Sequence, residues 1–285
     1  MKNTNSTIGF EGNEEQIRFP EIDMQYSVSQ DMVWANLLVQ INQPKPVSRI
    51  IRLYPLYRIA IAASLLLLVG LTGFFRFYTK TISTPAGQHL TVYLPDSSLI
   101  ELNAESAVKY HPYWFRVSRT ITLNGEAFFK VVRGNTFRVV SDQGETTVLG
   151  TSFNIFSRDN EYRVTCFTGK VGVVSTEKNE SLLLNPNEQA FLNNDGFLRF
   201  AQEVNTSTVK SWRDNMFFFT GSTIASVLKE IERQYNIKIK FESDPRLTYT
   251  GNFSKSMSKK EVLDLVCTSL GLKFEVRSDT EFLVD

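Results

Sequence analysis

The spacing of apolar residues changes repeatedly along this chain, and each change marks a different kind of element. Residues 1–26 show no period and are rich in Asn, Glu and Ser, so little fixed structure is expected there. Trp34, Leu37, Leu38 and Ile41 then fall at i, i+3, i+4 and i+7, the spacing of one helix face. Ser27 and Gln30 form an S-x-x-Q capping box ahead of them, and Pro44 and Pro46 stop the helix. One amphipathic helix cannot bury its own stripe, so this one needs a partner. A protein fits better than a membrane surface, because the polar face lacks the Lys/Arg of an interface-lying helix.

Ile59 to Phe75 is a run of seventeen residues without a charge, walled by Arg58 and Arg76. As a helix it covers about 26 Å at roughly 1.5 Å per residue. A hydrocarbon core is about 30 Å thick. Tyr57 and Tyr78 at headgroup depth, with Arg58 and Arg76 reaching outward, close the gap and define a membrane span over 58–78. Its distance from Met1 excludes a cleavable signal peptide. Lys45, Arg49, Arg52 and Arg58 precede it, against Arg76 and Lys80 after it. The positive-inside bias then leaves the N-terminal segment in the cytoplasm and exports the rest. Gly70 and Gly73 read as ordinary membrane-helix glycines.

From Gln88 to about Phe200 the pattern becomes short alternating strands between turn signals. Leu90, Val92 and Leu94 alternate before Pro95-Asp96-Ser97-Ser98, and Leu99 to Leu102 resumes as a hairpin would. Ile121 and Leu123 lead into Asn124-Gly125, read as a turn before the run from Ala127 to Val132. Phe137–Val140 and Thr146–Leu149 flank Asp142-Gln143-Gly144. Tyr162–Phe167 and Lys170–Val174 flank Gly169. Leu182–Leu184 and Gln189–Leu192 close the series, with a last turn at Asp195-Gly196. This spacing implies an all-β sandwich, roll or solenoid-like sheet over 79–203. Residues 204–211 read as a linker.

Beyond the linker the period changes again. Met216–Phe219 is a strand, and Ser222 or Thr223 caps a helix carrying Ile224, Val227, Leu228 and Ile231 on one face. Ile237 to Phe241 and Tyr249 to Phe253 read as strands. Ser258 and Glu261 form a capping box for a helix with Val262, Leu263, Val266 and Leu270 inward, ended by Gly271. Leu272–Val276 and Phe282–Val284 finish a β-α-β-β-α-β-β domain over 212–285.

Composition refines this picture. The net charge of +1 is uneven. Residues 1–40 carry Glu11, Glu14, Glu15, Glu21, Asp23 and Asp31 against Lys2 and Arg18. Direct nucleic-acid binding by this arm is excluded, and a basic protein partner suits it. Cys166 and Cys267 sit in apolar patterns and read as buried free thiols, so the exported part is not a disulfide scaffold. His89 and His111 have no clustered ligands, so no metal or other cofactor is expected. No nucleophile elbow, phosphate loop or zinc-protease motif occurs. Asp96, Glu101 and Glu105 could form a glycosidase-like carboxylate pair, but acidic residues on sheet edges are common. Catalysis is not indicated.

A series of motifs resembles the FecR-type anti-sigma regulators of Gram-negative envelopes, in the form common in Bacteroidetes. They are Leu94-Pro95-Asp96-Ser97-Ser98 with Leu102-Asn103-Ala104-Glu105-Ser106; Leu123-Asn124-Gly125-Glu126-Ala127-Phe128-Phe129-Lys130-Val131; and Val148-Leu149-Gly150-Thr151-Ser152-Phe153-Asn154. Gly169-Lys170-Val171 and Leu184-Asn185-Pro186-Asn187-Glu188-Gln189-Ala190 complete the series. Ser97 and Asn187 stand where the family has glycine. Residues 212–285 resemble the family's C-terminal domain, related to the short N-terminal module of secretins and TonB-dependent receptors.

The resemblance implies a transmembrane anti-sigma factor of the inner membrane. Its cytoplasmic arm, residues 1–57, would hold an extracytoplasmic-function sigma factor through Trp34, Leu37, Leu38 and Ile41. Its periplasmic part would receive a signal from the signalling domain of a TonB-dependent outer-membrane receptor. Site proteases at the membrane would free the arm. Two other readings stay open from the residues: an envelope-anchored structural or adhesive β protein, and a tethered enzyme acting on envelope sugars.

Overall fold

The computed structural model describes residues 27–44, 54–193 and 195–285. The aperiodic segment 1–26, Pro46 and the flanking Lys45, Arg49 and Arg52 lie outside the described residues. The chain divides between Ala60 and Ile61 into two units.

In the first unit, helix α1 (Gln30–Ile41) has no buried residue. Its N-cap is Ser29, whose side chain makes no cap bond. The box expected between Ser27 and Gln30 is not formed. Gln30 is already helical, and the residue three beyond Ser29 is the apolar Met32, which cannot return a bond. Helix α2 (Tyr54–Phe77) begins here, before the expected boundary at residue 58, and continues into the second unit. Among the described residues it is the one helix long and apolar enough to cross a membrane. Its hydroxyls are satisfied within the helix: Ser64 donates to Ile61 O at 2.8 Å and Thr72 to Leu68 O at 2.7 Å.

The β region follows. Its first strands are β1 (Lys80–Thr84), β2 (Leu90–Tyr93), β3 (Leu99–Leu102), β4 (Ser106–Tyr110), β5 (Arg119–Lys130) and β6 (Phe137–Val140). Then come β7 (Gly144–Val148), β8 (Ser152–Arg158), β9 (Glu161–Thr168), β10 (Val171–Ser175), β11 (Ser181–Leu184), β12 (Gln189–Leu192) and β13 (Leu198–Ala201). One half of the sheet runs β11-β10-β7-β6-β5-β4-β1, the other β2-β3-β5-β8-β9-β12-β13.

Strand β5 belongs to both halves. Its start pairs with β4 and β6, and Gly125–Lys130 with β3 and β8. Asn124-Gly125, expected as a turn, is therefore the corner of one strand. Gly125 has φ 104°, and a Cβ there would sit 2.8 Å from the Ser106 Cα, so the corner requires glycine. The halves close over one core: Ile121, Val139 and Val173 from the first meet Ile100, Phe153 and Val164 from the second. Of the three architectures open from the sequence, this is the sandwich. Ser97 and Asn187, standing in for glycine, adopt φ 68° and 66°, the left-handed geometry their turns demand.

Residues 204–211, expected as a linker, are folded. Val204 N–H bonds Asn187 O at 3.0 Å, and Asn205 caps the helical turn α3 (Thr206–Val209). A 3₁₀ turn, Ser211–Asp214, leads to β14 (Met216–Thr223) and α4 (Ile224–Tyr235). There follow β15 (Lys238–Phe241), β16 (Thr248–Ser254), α5 (Lys259–Leu270), β17 (Phe274–Val276) and β18 (Glu281–Val284). Thr223 caps α4, and Ser258 with Glu261 closes a reciprocal box on α5. Strands β14 and β16 pair antiparallel, while β15 runs parallel to β18. Val227, Ile231, Val262 and Val266 meet Phe217, Phe253 and Phe282 in a second core. Cys166 and Cys267 are both buried and unbridged.

Candidate functional site

Alternation along a strand decides which residues leave the core, yet several that point outward from β5 and β8, or follow β3, do not reach water. Glu126, Phe128, Asn154 and Asn103 are all buried, because the C-terminal α+β domain covers that face. Phe128 packs in the second core with Trp212, while its chain neighbours Ala127 and Phe129 belong to the first. The cover leaves a cleft of about 440 Å³ lined from both domains, including Asn154, Arg163, Trp212 and Phe218.

The seam between the domains is polar. Glu126 accepts from Asn103 Nδ2 at 2.8 Å and Asn154 Nδ2 at 2.9 Å. Gln234 of α4 donates to Asn103 Oδ1 and to Glu230 Oε1, both at 2.8 Å, and its carbonyl faces His89 Nε2 at 3.1 Å. Arg233 reaches Glu230 at 3.0 Å and Asp159 at 2.9 Å. At the other flank Arg213 grips Glu101 with two bonds of 2.5 Å, and its guanidinium lies 4.1 Å from the Phe128 ring centroid. Burial lifts the Glu126 carboxyl above the ordinary carboxylate range, against the pull of Arg158. Burial, with the charge of Lys255, pushes the His89 imidazole below its usual value. Two titratable groups therefore sit on the seam, and burial favours the neutral form of each.

The residues expected to carry function fall elsewhere. Trp34, Leu37, Leu38 and Ile41 lie on α1 and are all exposed, Trp34 at 61%. Met32 and Val39 form a second exposed apolar strip seven residues apart, so α1 is apolar on opposite sides. Arg58 is exposed on α2. Arg76, in the last turn, lies 5.5 Å from the Phe77 ring and 5.3 Å from that of Trp114. The acidic trio does not converge: Asp96 is bound by Arg119 and Glu101 by Arg213, while Glu105 sits in a turn at φ 49°. The seam escaped the sequence reading because its polar residues follow the rhythm of solvated strand positions. The run Ala127-Phe128-Phe129, apolar on both faces, was the one available signal that something covers this side.

Residues 80–172 match the family model of FecR protein, and residues 216–283 match that of FecR, C-terminal. The chain belongs to the FecR family of anti-sigma factors, which is regulatory and non-enzymatic. Two crystal structures of a proposed anti-sigma factor from Parabacteroides distasonis ATCC 8503 are similar to it. The structure at 1.65 Å has a TM-score of 0.66 and 30% identity, covering 72% of this chain and 98% of its own. That at 2.50 Å has a TM-score of 0.66 and 29% identity, covering 73% of this chain and 98% of its own. No curated protein matches this chain.

Proposed function

We propose that this chain is a single-pass inner-membrane anti-sigma factor that holds an extracytoplasmic-function sigma factor in the cytoplasm. It releases or activates that factor on a signal from the signalling domain of a TonB-dependent outer-membrane receptor. The observation that carries the reading is the exposed apolar helix α1, placed before the apolar helix α2 in a chain of this family. Trp34, Leu37, Leu38 and Ile41 are the sigma contacts, and the strip of Met32 and Val39 suits a partner that wraps the helix. The acidic segment before α1 complements a basic DNA-binding surface. Helix α2 crosses the bilayer between Arg58 and Arg76, and everything after Tyr78 is periplasmic. Site proteases near the membrane act once the signal arrives.

The test is copurification. Full-length protein extracted in mild detergent is expected to bring a sigma factor with it, and Trp34→Ala to reduce recovery at least about tenfold, the scale of a hot-spot truncation. Recovery of nothing by the native chain would sink the sigma-holding reading and favour the structural or adhesive β protein.

A further inference from the structure

The end of the sandwich that follows α2 can be traced by register. Lys80 pairs with Tyr110, Tyr110 with Ile121, Arg119 with Phe137 and Phe137 with Val148. The loop between β4 and β5 and the segments after β5 and β7 therefore share one end of the fold. The loop His111–Ser118 stands directly against the last turn of α2. Its Tyr113 ring lies 4.9 Å from that of Phe75 and 5.6 Å from that of Tyr78. His111 Nδ1 is 3.1 Å from Tyr78 O, and Trp114 receives the Arg76 guanidinium. A ring that touches the end of a bilayer-crossing helix shares its depth. This loop thus sits where aromatic residues partition, at the boundary of headgroups and acyl chains.

Two further features of this end suit a lipid surface. The largely apolar side chains of Tyr113, Val117 and Leu149 are 60%, 69% and 61% exposed. Beside them a hollow of about 320 Å³ is lined by Arg116, Arg119 and Arg133. Arg119 is consumed by Asp96, the one carboxylate lining the hollow, and by the carbonyls of Val132 and Asn135. Arg116 and Arg133 are exposed and make no ion pair or hydrogen bond with the described residues. An apolar tip beside free guanidinium groups is the composition of an interfacial anchor facing phosphate.

We propose that this end of the sandwich rests on the outer leaflet of the membrane crossed by α2. Tyr113 and Val117 enter the interface, and Arg116 with Arg133 holds the phosphodiester headgroups of anionic phospholipids. The inference rests on the reading of α2 as a bilayer span. It makes the domain a docked body with a set orientation rather than one tethered freely by its helix.

Spin labels at Val117→Cys and, at the opposite end of β6, Asp142→Cys test it in the full-length chain, since the native cysteines are buried. In vesicles of phosphatidylcholine with phosphatidylglycerol, the ratio of oxygen to aqueous nickel-chelate accessibility is expected to be several-fold higher at Val117 than at Asp142. The contrast is expected to fall several-fold in pure phosphatidylcholine, and equally when Arg116→Gln and Arg133→Gln are combined. A Val117 label as open to water as the Asp142 label, in a chain that resists alkaline extraction, would overturn the docking. Release of the chain by alkali would instead overturn the membrane-spanning reading beneath it.

Discussion

The Arg119 guanidinium, at the start of β5, ties two loops of the sandwich together, the β2–β3 turn and the β5–β6 segment. Its Nε donates to Asp96 at 2.8 Å, Nη1 to Asn135 O and Nη2 to Val132 O, each at 2.7 Å. The side chains of Arg119 and Asp96 are 6% and 10% exposed. Arg119→Met keeps much of the stem but strands Asp96 and two carbonyls. A loss of roughly 3–5 kcal/mol is expected, read as a lowered urea midpoint at unchanged slope. Glu126 makes a different prediction because its cost depends on pH. Its folded pKa lies above the unfolded value of 4.5, so above that pH the native state holds more protons than the unfolded chain. Stability contributed at acid pH is then lost toward neutrality. His89 has the opposite sign: its pKa is lowered from 6.5, so its contribution is present above 6.5 and is lost as pH falls below. Melting of Glu126→Gln and His89→Gln against the native chain separates them. The gap between Glu126→Gln and native should shift in the variant's favour as pH rises above 4.5. That between His89→Gln and native should shift in the variant's favour as pH falls below 6.5. Curves parallel at every pH would remove both groups from the account.

Among the elements, the helices show how much local chemistry decides. Ser258 accepts from Glu261 N–H at 3.3 Å while Glu261 returns a bond to Ser258 N at 2.6 Å. Ser258→Ala is expected to cost about 1 kcal/mol and to raise amide exchange first in the opening turn of α5. Exchange rising uniformly along α5 would count against a local cap. Helices α4 and α5 were legible because a cap and a 3.6-residue period coincide at each, with Gly271 as the left-handed stop of α5. The strands were legible only where alternation was clean. Strands β1, β4 and β8 were not singled out: Ser106-Ala-Val-Lys-Tyr110 is short, and Asn154 breaks the apolar run of β8 with a residue typical of turns. Asn124-Gly125 misled for a related reason. The dipeptide offers the same positive φ to a hairpin and to a strand corner, and only the pairing partners on either side decide between them.

At the scale of the whole molecule, the question is why two domains with separate cores meet through carboxylates, amides and guanidinium groups. An apolar seam of this extent would fuse them; a polar one holds only while every partner is in register. The sequence could not show this, since alternation tells which side of a strand faces out but not what lies over it. The join is therefore expected to be conditional. Arg213 and Glu101 lie at its edge, with side chains 28% and 18% exposed, so their pair adds modest stability, about 1 kcal/mol after solvent screening. Its geometric role is larger, since the same guanidinium covers Phe128. Arg213→Glu opposes two carboxylates at that point and uncovers the Phe128 ring at the edge of the second core. Calorimetry of the native chain is expected to give one cooperative transition for residues 79–285, and the variant two, the smaller domain melting first. A variant that still melts in one step, with its midpoint merely lowered, would mean that the domains are coupled through Phe128 and Trp212. The polar seam would then be a covering rather than a clasp.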